Sequence, residues 1–226
     1  MLEKENILIV APHPDDEVLG CGGIMKKFSA RGDSVFVLIV TRGKPEKYSE
    51  SRIIKVRDEA LRAHKILGVT ETRFFDFPAP DLDRVSLADI SEAIFSIISE
   101  FKIDTLFLPH RGDIHHDHKI VFNAGLVASR PVNEYSVKRI FSYETLSETE
   151  WAAPYCDDAF MPTYFVDISK EIGDKMNAFS SFKSQIRPFP SSRSLENIEA
   201  LAKFRGATVG IQRAEAFMVI RIIEQW

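Results

Sequence analysis

Apolar runs alternate with amphipathic stretches through the first half of the chain. Ile7 to Ala11 is unbroken and rich in β-branched residues, as is SVFVLIVT, Ser34 to Thr41, so both are predicted to be strands buried on both faces. Between them Val18, Leu19, Ile24, Met25 and Phe28 recur at helical spacing, and Arg31, Gly32 and Asp33 close that helix. Ser51 to Leu67 reads as a second helix with Ile54, Ala60, Leu61, Ala63 and Leu67 as core positions and Gly68 as its stop. Arg73 to Phe77 is a short third strand, Leu87 to Phe101 an amphipathic helix, and Thr105 to Leu108 a fourth strand. This alternation builds a parallel sheet with helices on both faces.

Beyond it, a helix runs to about Ser129 with Pro131 after it, and Arg139 to Tyr143 and Tyr164 to Asp167 read as further strands. Helices follow at Ser169 to Phe182 and Leu195 to Phe204, and a closing strand lies within Arg205 to Ile223. Three stretches have turn chemistry or no periodicity. Pro78 to Val85 reads as a surface loop, though it could border a pocket. Acidic and aromatic Ser147 to Phe160 is either a substrate loop or an ordinary connection. Ile186 to Ser194 is rich in Pro and Ser. With 226 residues and no repeat or linker, the chain is expected to be one domain over 1–226: α/β, Rossmann-like, three-layered, with a mostly parallel sheet.

Composition narrows the function classes. A formal net charge of −4 leaves no basic footprint for nucleic acid. No apolar run approaches the roughly 20 residues that span a bilayer, and MLEKENILIV leads straight into the first strand without a signal-peptide pattern. Cys21 and Cys156 are too few for a disulfide framework or a thiolate metal site. A cytoplasmic enzyme with a small-molecule substrate is the expectation, and a homo-oligomer stays open.

Candidate chemistry sits where the first and fourth strands end. Pro12 stops the first strand, and His13, Pro14, Asp15, Asp16 and Glu17 fill the turn before the helix. In an open parallel sheet that turn lies at the ligand-binding end. Alone, its acids could simply complement a helix dipole. However, four of the six histidines, His110, His115, His116 and His118, fall within nine positions just after the fourth strand. Histidines and carboxylates such as these are the ligand types of a catalytic zinc, which takes three from the protein and keeps one position open, and His115 and His118, three apart, can point at one spot. Asp113 and Asp117 are placed to orient imidazoles. His110 and His116 are expected to orient a ligand or face solvent, and His64 to be a surface or satisfied core residue. Gly20, Gly22 and Gly23 suggest a nucleotide-binding turn, but they fall after the first helical turn, where close packing explains them better.

The APHPDDE turn, the later DxHxDH segment and parts of the C-terminal third together resemble the LmbE/PIG-L family of zinc-dependent N-deacetylases, over nearly the whole chain. Lesser matches are Thr41, Arg42 and Gly43 to the family's T-x-G, Glu59 to Val69 to its second helix with Arg57 upstream, and Lys175, Ala178, Ser184 and Gln185 to its late helix. The resemblance implies hydrolysis of an N-acetylglucosamine-type amide, in a glycoconjugate, glycolipid or thiol-glycoside precursor. It implies Zn2+ on His13, Asp16 and His118, Asp15 as general base, and a protonated His115 facing the reacting carbonyl off the metal. The alternatives are an amidase acting on thiol conjugates, or a non-catalytic sugar- or nucleotide-binding module of the same fold.

Overall fold

The computed structural model describes residues 4–132, 135–155 and 157–224. In chain order its elements are β1 (Asn6–Ala11), α1 (Asp16–Arg31), β2 (Ser34–Gly43), α2 (Glu50–Leu67), β3 (Glu71–Ala79), α3 (Leu87–Phe101), β4 (Thr105–Pro109), α4 (His116–Ala128), β5 (Arg139–Tyr143), β6 (Tyr164–Asp167), α5 (Ile172–Phe179), α6 (Leu195–Ala207) and β7 (Ala214–Ile222). The strands form one sheet in the order β3-β2-β1-β4-β5-β7-β6. Pairing is parallel from β3 to β5, and β7 runs antiparallel to both β5 and β6.

Successive side chains of a strand point to opposite faces, and β1 divides the core accordingly. Ile7, Ile9 and Ala11 pack into a core shared with α1, α2, α5 and α6, whereas Leu8 and Val10 join α3 and α4 on the other face. All five are fully buried. The expected three-layer α/β domain is what forms. Gly20 explains part of the tight packing of α1, because a Cβ there would lie 2.2 Å from the Tyr143 ring. The glycines of α1 therefore serve packing, and the turn after β1 is built of HPDDE.

Several expectations need correction. In α2 the buried stripe is Ile53, Glu59, Ala60, Ala63, His64 and Leu67, and the expected core residues Ile54 and Leu61 are exposed. Two polar residues set the phase of that helix. Glu59 accepts from the amide and hydroxyl of Ser184, and His64 bonds Glu17, so both are buried with partners. β3 extends through Pro78, tolerated because β3 is an edge strand. The stretch after it is not a plain surface loop: Leu82 is fully buried, and Ala79 and Pro80 line a cavity. α5 is shorter than Ser169 to Phe182, and α6 runs three residues beyond Phe204.

Strand order reverses between β1 and β4, since β2 lies to one side of the pair and β5 to the other. A crevice opens at such a switch point beyond the carboxyl ends of the strands. The turn from β1 into α1 and the segment from β4 into α4 both empty into it.

Candidate active site

Two βα turns supply the cluster. From the first come His13, Asp15 and Asp16, and from the second Asp113, His115, Asp117 and His118. The His13 Nδ1 and His118 Nε2 atoms each lie 3.3 Å from Asp16 Oδ2. His118 Nε2 is buried and has no hydrogen-bond partner. Its other nitrogen, Nδ1, is 2.7 Å from Asp113 Oδ2, while His13 Nε2 is 3.0 Å from Asp117 Oδ2. Each imidazole thus has one nitrogen on an orienting carboxylate and the other turned toward Asp16, as ligand histidines require. Asp113 is itself held by the Thr149 hydroxyl at 2.6 Å, and Asp117 accepts from the Leu82 amide at 3.3 Å.

Two trios of donor groups lie close enough together to hold a metal ion: His13, Asp16 and His118, and His13, His115 and Asp117. Tautomer chemistry favours the first. His115 Nδ1 accepts from the Asp117 amide at 3.2 Å, so its lone pair is engaged and a neutral ring carries its proton on Nε2. His115 is the N-cap of α4, with extended backbone, rather than part of the helix. Its ring centroid is 4.3 Å from that of His13 and 5.5 Å from that of His118.

That environment sets the charge of the His115 ring in the metal-free protein. Burial, together with the nearby His13 and His118, pushes His115 down to about 4, so its ring is neutral at neutral pH. It can still donate through Nε2–H. Burial raises the Asp15 carboxyl to about 8 against the pull of Arg193. Burial also works against ionisation of Asp16, but His118 and His13 outweigh it and hold that carboxyl well below the usual range. The two adjacent carboxyls thus have opposite tendencies to ionise.

Asp15 has φ 113 and ψ −27, an uncommon conformation for a residue with a side chain. Glu17 is what holds it. Glu17 Oε2 accepts from the Asp15 amide at 3.0 Å, and Oε1 is 2.9 Å from His64 Nε2, whose Nδ1 is 2.8 Å from the Thr72 hydroxyl. Glu17→Ala should leave a buried amide and a buried imidazole nitrogen without partners, at about 1–3 kcal/mol, and should lower both Tm and kcat. Glu17→Gln keeps an acceptor for the amide and a donor for His64, and should restore most of both. A Glu17→Ala protein with wild-type Tm would show that the turn holds its shape without this support.

Pattern reading missed Arg193 and Glu148. Arg193 Nη1 is 3.0 Å from Asp15 Oδ2, and the same guanidinium donates to Ser147 Oγ and Gln185 Oε1. Glu148, raised to about 7 by burial and the charge of Asp16, lines the same cavity. The available signal was an arginine set among serines in a proline-rich loop, which has no period to read. Of the other histidines, His116 is exposed, and buried His110 bonds the Asp158 carbonyl at 2.8 Å, fastening the 147–160 segment. His64 is the satisfied core residue described above. Arg57 lines the cavity but is bonded to Asp76 and to the Phe75 carbonyl.

Residues 8–129 match the model of the PIG-L family, described as GlcNAc-PI de-N-acetylase. The uncharacterized deacetylase YaiS of Escherichia coli (strain K12) is 30% identical over 174 residues, covering 75% of this chain and 85% of that protein. The diacetylchitobiose deacetylase of Thermococcus kodakarensis is 25% identical over 199 residues, 81% of this chain and 71% of its own. Among solved structures, the conserved protein TT1542 from Thermus thermophilus aligns with a TM-score of 0.78 at 25% identity, over 97% of this chain and 96% of that one. No helix among the described residues is long and apolar enough to cross a membrane. The family match takes in both βα turns and more than half of the sequence, and this chain belongs to the PIG-L family as a metal-dependent hydrolytic deacetylase.

Proposed function

We propose that the chain removes the acetyl group from an N-acetylglucosamine-type amino sugar, with Zn2+ held by His13, Asp16 and His118, Asp15 as general base and His115 opposite it. The observation that carries this reading is the buried, unpartnered Nε2 of His118, turned to the same carboxylate oxygen as His13 Nδ1. Two nitrogens and one carboxylate oxygen are the donor set of a catalytic zinc. When bound, such an ion acidifies a water and polarises a carbonyl.

The chain's own residues would do the rest. Asp15, fixed by the Glu17 turn and by Arg193, takes a proton from the attacking water and returns it to the leaving amine, which departs poorly without one. His115 donates through Nε2–H to the oxygen that gains negative charge, a contribution of roughly 3 kcal/mol. Asp113 and Asp117 keep both ligand imidazoles in the required orientation.

Metal analysis and amine release test it together. The purified protein should carry about one zinc per chain and release free amine from simple N-acetylglucosaminides. His118→Ala should lose most of the metal. Full metal retention in that folded variant would overturn the ligand assignment, and a zinc-loaded protein that releases no amine would be a binding module instead.

A further inference from the structure

The cavity that holds the catalytic groups has a second wall of different chemistry. His13, Asp15, His115 and Glu148 face it from the βα turns and the 147–160 segment, whereas Arg42, Arg52 and Arg57 face it from the end of β2 and the first turns of α2. With Arg193, four arginines line this cavity against two carboxylates, in a chain whose formal charge is −4. Composition alone would not put positive charge there.

Partners sharpen the point. Arg42 is bonded to Glu50 at 2.5 Å and Arg57 to Asp76 at 2.6 Å, but neither acid lines the cavity, and Glu50 and Asp76 are 56% and 68% exposed. Such solvated pairs are weak and exchangeable. Arg52 has no carboxylate partner among the described residues, and its guanidinium lies 5.2 Å from the centroid of the Tyr48 ring, which also lines the cavity. Tyr48 in turn packs on Gly43, where a Cβ would come within 2.8 Å of its ring. The first turn of α2 adds the positive end of a helix dipole to the same wall. A planar guanidinium with free donors, rested on an aromatic ring, matches the oxygens of a carboxylate or phosphate.

Resting on the deacetylase reading above, we infer that the substrate carries an anionic group, a carboxylate or a phosphate ester, on the part remote from the acetamide, and that Arg52 with Arg42 receives it. The acetyl group goes to the histidines, and the anion lies along α2. This arrangement spends the binding of the remote group on holding the amide in place.

Three N-acetylglucosaminides that differ only in the aglycone test this: 2-hydroxyethyl, carboxymethyl and 2-phosphoethyl. The zinc-loaded enzyme should show a kcat/KM about tenfold or more higher for a charged glycoside than for the neutral one, mainly through KM. The gap should narrow at about 1 M salt, where the screening length falls to about 3 Å. Whichever charged glycoside is preferred identifies the anion. Arg52→Ala should cost the charged glycosides about tenfold more than the neutral one, and Arg52→Lys should recover part of that difference. Equal kcat/KM for neutral and charged glycosides, or an Arg52→Ala loss that is the same for all three, would overturn the inference while leaving the deacetylase reading standing. If none of the three releases amine from zinc-loaded protein, the deacetylase reading itself has failed, and the inference falls with it.

Discussion

Asp15→Asn should lower kcat about a hundredfold or more while the bound metal stays. Asparagine keeps the size of the side chain and tolerates positive φ, so the turn at φ 113 survives and Glu17 can still accept from the amide at position 15. What is lost is basicity. Stability should move the other way in the metal-free protein. A carboxyl whose folded value is about 8 against an ordinary 3.8 loses stabilisation as pH rises across that interval, because burial disfavours the charge it must take on. Asparagine never takes on that charge, so at pH 8 the metal-free variant should melt no lower than the wild type. Parallel measurements of zinc content, amine release and Tm check the three parts. A folded, metal-free Asp15→Asn protein would transfer the ligand role from Asp16 to Asp15, and an unchanged kcat would remove Asp15 from the chemistry.

Legibility in the sequence followed from how local each signal was. β1, β2 and β4 are buried on both faces, so their apolar runs identify them directly, and α3 occupies the predicted Leu87 to Phe101 because its apolar residues keep helical spacing without polar interruption. The metal-suited trio was legible for a related reason. His13 and Asp16 share one short turn, His118 lies in a dense histidine cluster, and parallel topology brings the ends of β1 and β4 together.

What pattern reading misplaced were polar residues used inside the protein. Glu59 and His64 turn α2 so that Ile54 and Leu61 face solvent, an outcome a hydrophobicity pattern inverts. Glu17 reads as a helix-dipole acid, yet it is wholly buried and ties Asp15 to His64. Arg193 comes from a segment 178 residues beyond Asp15, and only tertiary packing brings it within 3.0 Å. The lowered pKa of His115 in the metal-free protein depends on burial and on the neighbouring His13 and His118 rings. Each of these is a long-range effect, fixed after the sheet has assembled.

Metal uptake should be strongly proton-coupled, and its apparent affinity should climb by about two log units per pH unit near neutrality, as expected when two protons leave for each metal bound. Burial pulls His13 down, but hydrogen bonds to Asp117 and Asp16 outweigh it and raise it to about 9. Burial likewise opposes protonation of His118, which Asp16 and Asp113 nonetheless raise to about 10. At neutral pH the metal-free centre therefore holds two imidazolium rings against Asp16, Asp113 and Asp117, and a divalent ion must displace both protons. The same linkage fixes the sign for stability. Histidines raised above an ordinary 6.5 contribute stabilisation that is full below 6.5 and is lost as pH rises through about 9 to 10. The Tm of metal-free protein should fall across that window, while metal affinity rises and then levels off above it. Competition against a chromophoric chelator over the pH range, with proton release counted by calorimetry in buffers of different ionisation heat, measures both effects. Asp113→Asn removes a carboxylate that raises His118, so its affinity curve should level off at lower pH than that of the wild type. An affinity independent of pH, once the chelator's own protons are subtracted, would mean that the imidazoles are already neutral before the metal arrives and that Asp113 and Asp117 orient them without charging them.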